Sequence, residues 1–162
     1  MQTNSRIIEE PHARTVTVAR VYDAPASLLF EVFSRPEHML KCYGPREYPA
    51  TRVEIDFRVG GQVLFALTGP DGKEGPPFGG VYLEIEPDRK IVYSNGFLGQ
   101  EDKMTVTIRF DEVDGKTTVS VATLFPSAEM YDEHVGFGYA QGTGQSLDKL
   151  GDYLAELATA PC

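Results

Sequence analysis

The stretch from about residue 48 to residue 125 constrains the fold most, because it alternates apolar and polar residues between tight-turn signals. TRVEIDFRVGG puts Val53, Ile55 and Phe57 on one face and Arg52, Glu54, Asp56 and Arg58 on the other, ahead of a Gly60-Gly61 turn. In MTVTIRFDEVDGKTTVSVATLF, Val106, Ile108 and Phe110 alternate with Thr105, Thr107 and Arg109, and Asp114-Gly115 has the chemistry of a tight hairpin turn. GPDG, Gly69 to Gly72, supplies another turn between two strands. Five or six antiparallel strands with one wetted face are predicted from this region alone.

The flanks have a different period. Residues 1–13 are polar and read as a loose arm or an added strand, and RTVTVARVYDAP reads as a strand ending at Asp23. Leu28, Leu29, Val32 and Phe33 then recur at three and four, which gives a helix with Pro25 near its start, and Pro36 ends it and permits a short second helix over 36–41. A last helix is predicted to run on from Pro126-Ser127, with Ser127 as N-cap, Glu129 and Asp132 near its positive end, and Leu147, Leu150, Leu154 and Leu157 as an apolar stripe. The pattern is α+β over residues 14–157, with an arm over 1–13 and a tail over 158–162.

GFGYAQGTGQSLDKL, Gly136 to Leu150, carries four glycines inside this last helix. The spacing misses the G-x-G-x-x-G dinucleotide fingerprint by one residue, and there is neither a Walker lysine nor room for a βαβ unit. Each interior glycine costs a helix about 1 kcal/mol relative to alanine. The glycines are therefore expected to let backbone approach the sheet or to leave space above it.

The 162-residue chain has a net charge of −9, which opposes unspecific contact with nucleic acid or anionic membrane. The two cysteines, Cys42 and Cys162, do not suggest a disulfide framework. The first residues lack the apolar core of a signal peptide and no 18-residue apolar run occurs, so a soluble, cytoplasmic protein is expected. No metal-ligand set has matching spacing, and no cofactor motif is present.

RVYDAPASLLFEVFSRPEHMLKCYGP, FRVGGQVLFALTGPDGKE, FGGVYLEIEPDRKIVYSNGF and TLFPSAEMYDEHVGFGYAQGTGQSLDKLGDYLAEL resemble, in order and spacing, the domain similar to activator of Hsp90 ATPase homologue 1, a family of the START-like or SRPBCC superfamily. The resemblance covers roughly residues 14 to 157. It implies a helix-grip fold, in which a curved antiparallel sheet wraps a long C-terminal helix and leaves a cavity between them. Such cavities hold lipids, sterols, hormones, polyketides and other largely apolar molecules. Many relatives carry a tryptophan pair where this chain has Cys42-Tyr43, and a tryptophan where it has Thr143; this chain has no tryptophan at all. A cavity of different shape follows.

With that fold, Tyr43, Phe65, Tyr82, Tyr93, Phe97, Phe125 and Phe137 are expected to border the cavity, with His134 at its rim and Gln141 adding a polar point from the helix. Buried phenols need hydrogen-bond partners, so Tyr43, Tyr82 and Tyr93 would supply convergent polar contacts in an otherwise apolar pocket. His134 has no orienting partner on its helix face, since Asp132 and Glu133 sit two residues and one residue before it. Glu54 and Asp56 share a strand face with Arg52 and Arg58 and read as a solvated, ion-paired surface. Cys42 has only Lys41 beside it and lacks the base that a nucleophile needs.

The expected function is binding of a small apolar or aromatic molecule without catalysis. An enzyme of hydrolase, cyclase or dehydratase type using the same cavity is the alternative from the superfamily. An Hsp90-type co-chaperone or stress-response role is the other, set back because the eukaryotic co-chaperone has an additional N-terminal domain for which this chain has no room. An exposed apolar sheet edge would favour a homodimer.

Overall fold

The computed structural model describes residues 5–159. Strands β1 (Arg6–Glu10) and β2 (Thr15–Tyr22) come first, then helices α1 (Ala26–Ser34) and α2 (Pro36–Cys42). Six strands follow: β3 (Ala50–Ile55), β4 (Gln62–Leu67), β5 (Phe78–Glu86), β6 (Lys90–Phe97), β7 (Met104–Val113) and β8 (Lys116–Leu124). Helices α3 (Ala128–Gly136) and α4 (Tyr139–Thr159) close the chain. The strands form one antiparallel sheet in the order β1-β2-β8-β7-β6-β5-β4-β3. All neighbours after β3 are consecutive hairpins, and one long crossover brings β8 back beside β2.

The alternating pattern sets the register. Met104, Val106, Ile108 and Phe110 are buried on β7, and the residues between them are not. Asp114 and Gly115 both take positive φ, 53° and 78°, the geometry that joins twisted strands in two residues. On β3 the wet face carries the expected ion pairs, Arg52 Nε to Glu54 Oε2 at 2.7 Å and Arg58 Nε to Asp56 Oδ2 at 2.9 Å just beyond it. Part of the N-terminal arm, Arg6–Glu10, is an edge strand on β2. Residues 1–4 of the arm and 160–162 of the tail lie outside the described residues.

The helices follow local rules, with one departure. Arg35 is extended, as the residue before a proline tends to be, and it separates α1 from α2. Leu29 and Val32 are fully buried beneath α1, and the Ala26 N–H is capped from the sheet by Glu112 Oε1 at 2.7 Å. Ser127 caps α3, its hydroxyl accepting from Met130 N. The predicted single C-terminal helix is in fact two: α3 ends at Gly136, Gly138 takes φ +85°, and α4 starts at Tyr139. At that φ a side chain clashes with the backbone, so Gly138 serves a break in direction rather than cavity volume.

The long helix α4 is seated on β2 by polar contacts. The Tyr22 hydroxyl donates to the Leu147 carbonyl at 2.6 Å, and Arg20 Nη1 pairs with the buried Asp148 carboxylate at 2.9 Å. Leu147 and Leu150 are buried, Leu154 is partly buried against the core, and Leu157 lies exposed near the end of the stripe.

Candidate functional site

Sheet and helices do not close on each other completely. A cavity of about 710 Å³ lies between α1, α2, α3 and α4 on one side and the faces of β4 to β8 on the other. The inward residues of β6 show how the strand period builds its floor: Ile91, Tyr93, Asn95 and Phe97 alternate toward it. Val106 and Ile108 of β7, Val63 and Phe65 of β4, and Leu147 and Leu150 of α4 make most of the remainder apolar.

The loop after α2 forms one wall and is clamped to α4. Lys149 Nζ donates to the carbonyls of Tyr43 (3.3 Å) and Gly44 (3.1 Å), Gly44 N donates to Ser146 Oγ (3.0 Å), and Arg46 N donates to Gln145 Oε1 (3.1 Å). A Cβ on Gly44 would lie 2.5 Å from the Tyr48 carbonyl oxygen, so only glycine fits the fold of this loop. One on Gly142 of α4 would come within 3.3 Å of Pro45, so the missing side chain lets helix and loop meet closely. Of Gly136, Gly138 and Gly142, all predicted to make room, Gly142 is the one that permits a close approach.

The clamp fixes the Tyr43 ring flat on Phe65, centroids 4.2 Å apart and planes within 11°. The phenol ends of Tyr43 and Tyr93 lie beside each other, and Tyr139 and Thr123 Oγ1 share a hydrogen bond at 2.8 Å. Tyr82 packs edge-on against Phe57 and Tyr93. Burial of the hydroxyl ends pushes all four phenols above the ordinary range, so they are neutral hydrogen-bonding groups at physiological pH. Cys42 also faces the cavity, and burial pushes its thiol up to about 12, leaving it a small apolar wall group rather than a nucleophile.

Of the residues expected at the site, Tyr43, Phe65, Tyr82 and Tyr93 lie together on the wall. Phe97 and Phe137 stand at the mouth, 51% and 82% exposed. His134 lines the same end from α3, its Nδ1 2.9 Å from the Met130 carbonyl. Phe125 is fully buried, but behind the wall, where Tyr131, His134 and Tyr139 surround it. Gln141 of α4 is half-buried and is not part of the lining.

Sequence reasoning did not single out Asn95, Phe78 or Met104, all of which line the cavity. Asn95 was within reach, because it stands two residues from Tyr93 on the same strand and must share its face. Among the described residues, its Oδ1 has no hydrogen-bond partner although the residue is only 5% exposed. No group of three or more His, Cys, Asp or Glu among the described residues is placed to hold a metal ion, and no described helix is long and apolar enough to cross a membrane.

A curved antiparallel sheet gripping a long C-terminal helix, with the cavity between them, is the helix-grip architecture of START-like proteins. The chain belongs to the family described as Activator of Hsp90 ATPase homolog 1-like protein, whose sequence pattern matches residues 23–155. The fold is similar to that of protein Ms6760 from Mycobacterium smegmatis, with TM-score 0.84 and 23% identity over 94% of this chain and 98% of that one. It is also similar to a protein from Arthrobacter aurescens (TM-score 0.85, 20% identity, 93% and 91% covered) and to the AHSA1 protein from Silicibacter pomeroyi (0.70, 19%, 87% and 97%). At these identities the likeness concerns the fold. No curated protein matches the sequence.

Proposed function

We propose that the protein binds a small, largely apolar or aromatic molecule in the cavity between its sheet and α4. The observation that carries this reading is the cavity itself: about 710 Å³, walled mainly by aliphatic and aromatic side chains, with a few neutral polar groups converging on it. That combination is the usual form of a small-molecule site. The phenols are held neutral by burial, Cys42 is held as a thiol, and His134 has its Nδ1 engaged by a main-chain carbonyl. These groups can orient a ligand through hydrogen bonds.

Native mass spectrometry of gently purified protein tests the reading. An adduct of a few hundred daltons that is released on unfolding, or one acquired from a panel of neutral aromatic compounds, is the expected result. A chain that takes up none of them would refute it, and chemical conversion of the bound compound would replace binding with catalysis.

A further inference from the structure

The cavity carries polar information beyond its apolar bulk, and Asn95 holds most of it. It lines the cavity from near the end of β6, it is 5% exposed, and its Oδ1 has no partner among the described residues. A buried amide oxygen left unbonded is costly, and native structures rarely tolerate one without a reason. The neighbouring polar groups are differently placed: the phenol ends of Tyr43 and Tyr93 lie beside each other, and Tyr139 is held by Thr123. A small rotation of the amide about χ2 offers an acceptor to whatever fills the space above β6.

Charge narrows the occupant further. Among the described residues that line the cavity there is no lysine or arginine, and the only carboxylates are Glu129 and Glu133, exposed on α3 at the mouth. Lys149, the half-buried cation of α4, donates to the carbonyls of Tyr43 and Gly44. An anionic ligand would lose its hydration without gaining a counter-charge, and it would pass an acidic mouth on a chain of net charge −9.

We infer that, given the binding reading above, the cavity selects an uncharged apolar molecule bearing a hydrogen-bond donor, such as a phenolic hydroxyl or an N–H, which Asn95 accepts, and that it rejects carboxylates. Asn95 is then the specificity-determining residue of the site.

Three fluorescent probes of one shape separate the possibilities: 1-hydroxypyrene, 1-methoxypyrene and 1-pyrenecarboxylate, titrated into the full chain at mildly acidic pH where the hydroxyl is neutral. The hydroxyl compound is expected to bind about tenfold more tightly than the methyl ether, the ratio one good buried hydrogen bond supplies. The carboxylate is expected to bind more weakly than either. Asn95→Leu should erase the preference, bringing the hydroxyl compound and the ether to equal affinity. Equal binding of hydroxyl and ether by the native chain, a preference that survives Asn95→Leu, or tight binding of the carboxylate would each overturn the inference and leave the cavity reading standing. If Asn95→Leu does not fold, the ranking on the native chain decides alone. No saturable binding of any of the three would overturn the cavity reading, and the inference with it.

Discussion

Gly136 and Gly138 are two residues apart and do opposite things. Gly136 ends α3 with nothing within 4 Å of where a Cβ would stand, whereas Gly138 turns the chain at φ +85°. Gly136→Ala is therefore expected to leave stability unchanged or raise it by up to about 1 kcal/mol through helix propensity. Gly138→Ala should cost about 1–2 kcal/mol, because an L side chain meets its own backbone in the left-handed region. In a chain of this length each kcal/mol moves the melting temperature by about 2–4 °C, so thermal unfolding of the two variants separates them. Equal melting temperatures would contradict the assignment of Gly138 to the helix break. The break itself was hidden in the sequence, because Phe137-Gly138 is followed at once by residues that fit a helix, and composition alone does not reveal the sign of φ.

At the scale of elements, the strands were the most legible part. Their period of two survives because β7 has one face in the core and one in water, so Met104, Val106, Ile108 and Phe110 turn inward and alternate with Thr105, Thr107 and Arg109. The ion pairs of β3 and of the residues just after it were readable because each joins side chains two residues apart, Arg52 with Glu54 and Arg58 with Asp56. Helix α1 showed itself through Leu29 and Val32, and Pro36 marked its end. What could not be read was the clamp between the 43–46 loop and α4, since Lys149, Ser146 and Gln145 meet that loop from about a hundred residues away. Such contacts exist only after the sheet has brought α4 across the fold. The same limit explains Phe125, whose place on an aromatic-rich segment suggested the cavity while α3 folds over it and takes it into the core.

Over the whole molecule, burial around the cavity links stability to pH. Burial raises the pKa of Tyr43, Tyr82, Tyr93 and Tyr139, so the folded chain keeps protons that the unfolded chain releases near the ordinary phenol value of about 10. Stability from these groups is fully present below that value and is lost as pH rises through it toward the folded pKa values. Phenolate absorbance followed during an alkaline titration should show these phenols ionising only as the fold is lost; ionisation of every tyrosine together near pH ~10 with the fold intact would contradict their burial. The expectation that aromatic residues would converge on a cavity came from family resemblance, and the structure places Tyr43, Phe65, Tyr82 and Tyr93 on one wall of it. The central claim is that this space receives an apolar molecule. Its most direct test is a titration of the native chain with the neutral dye Nile red, compared with Thr143→Trp, which sets a large ring into the cavity from α4 at a half-buried lining position. The account predicts saturable binding by the native chain and at least tenfold weaker binding by a folded Thr143→Trp chain, because the added ring takes up volume the dye needs; equal dye affinity in the two, or no saturable binding by either, would contradict it.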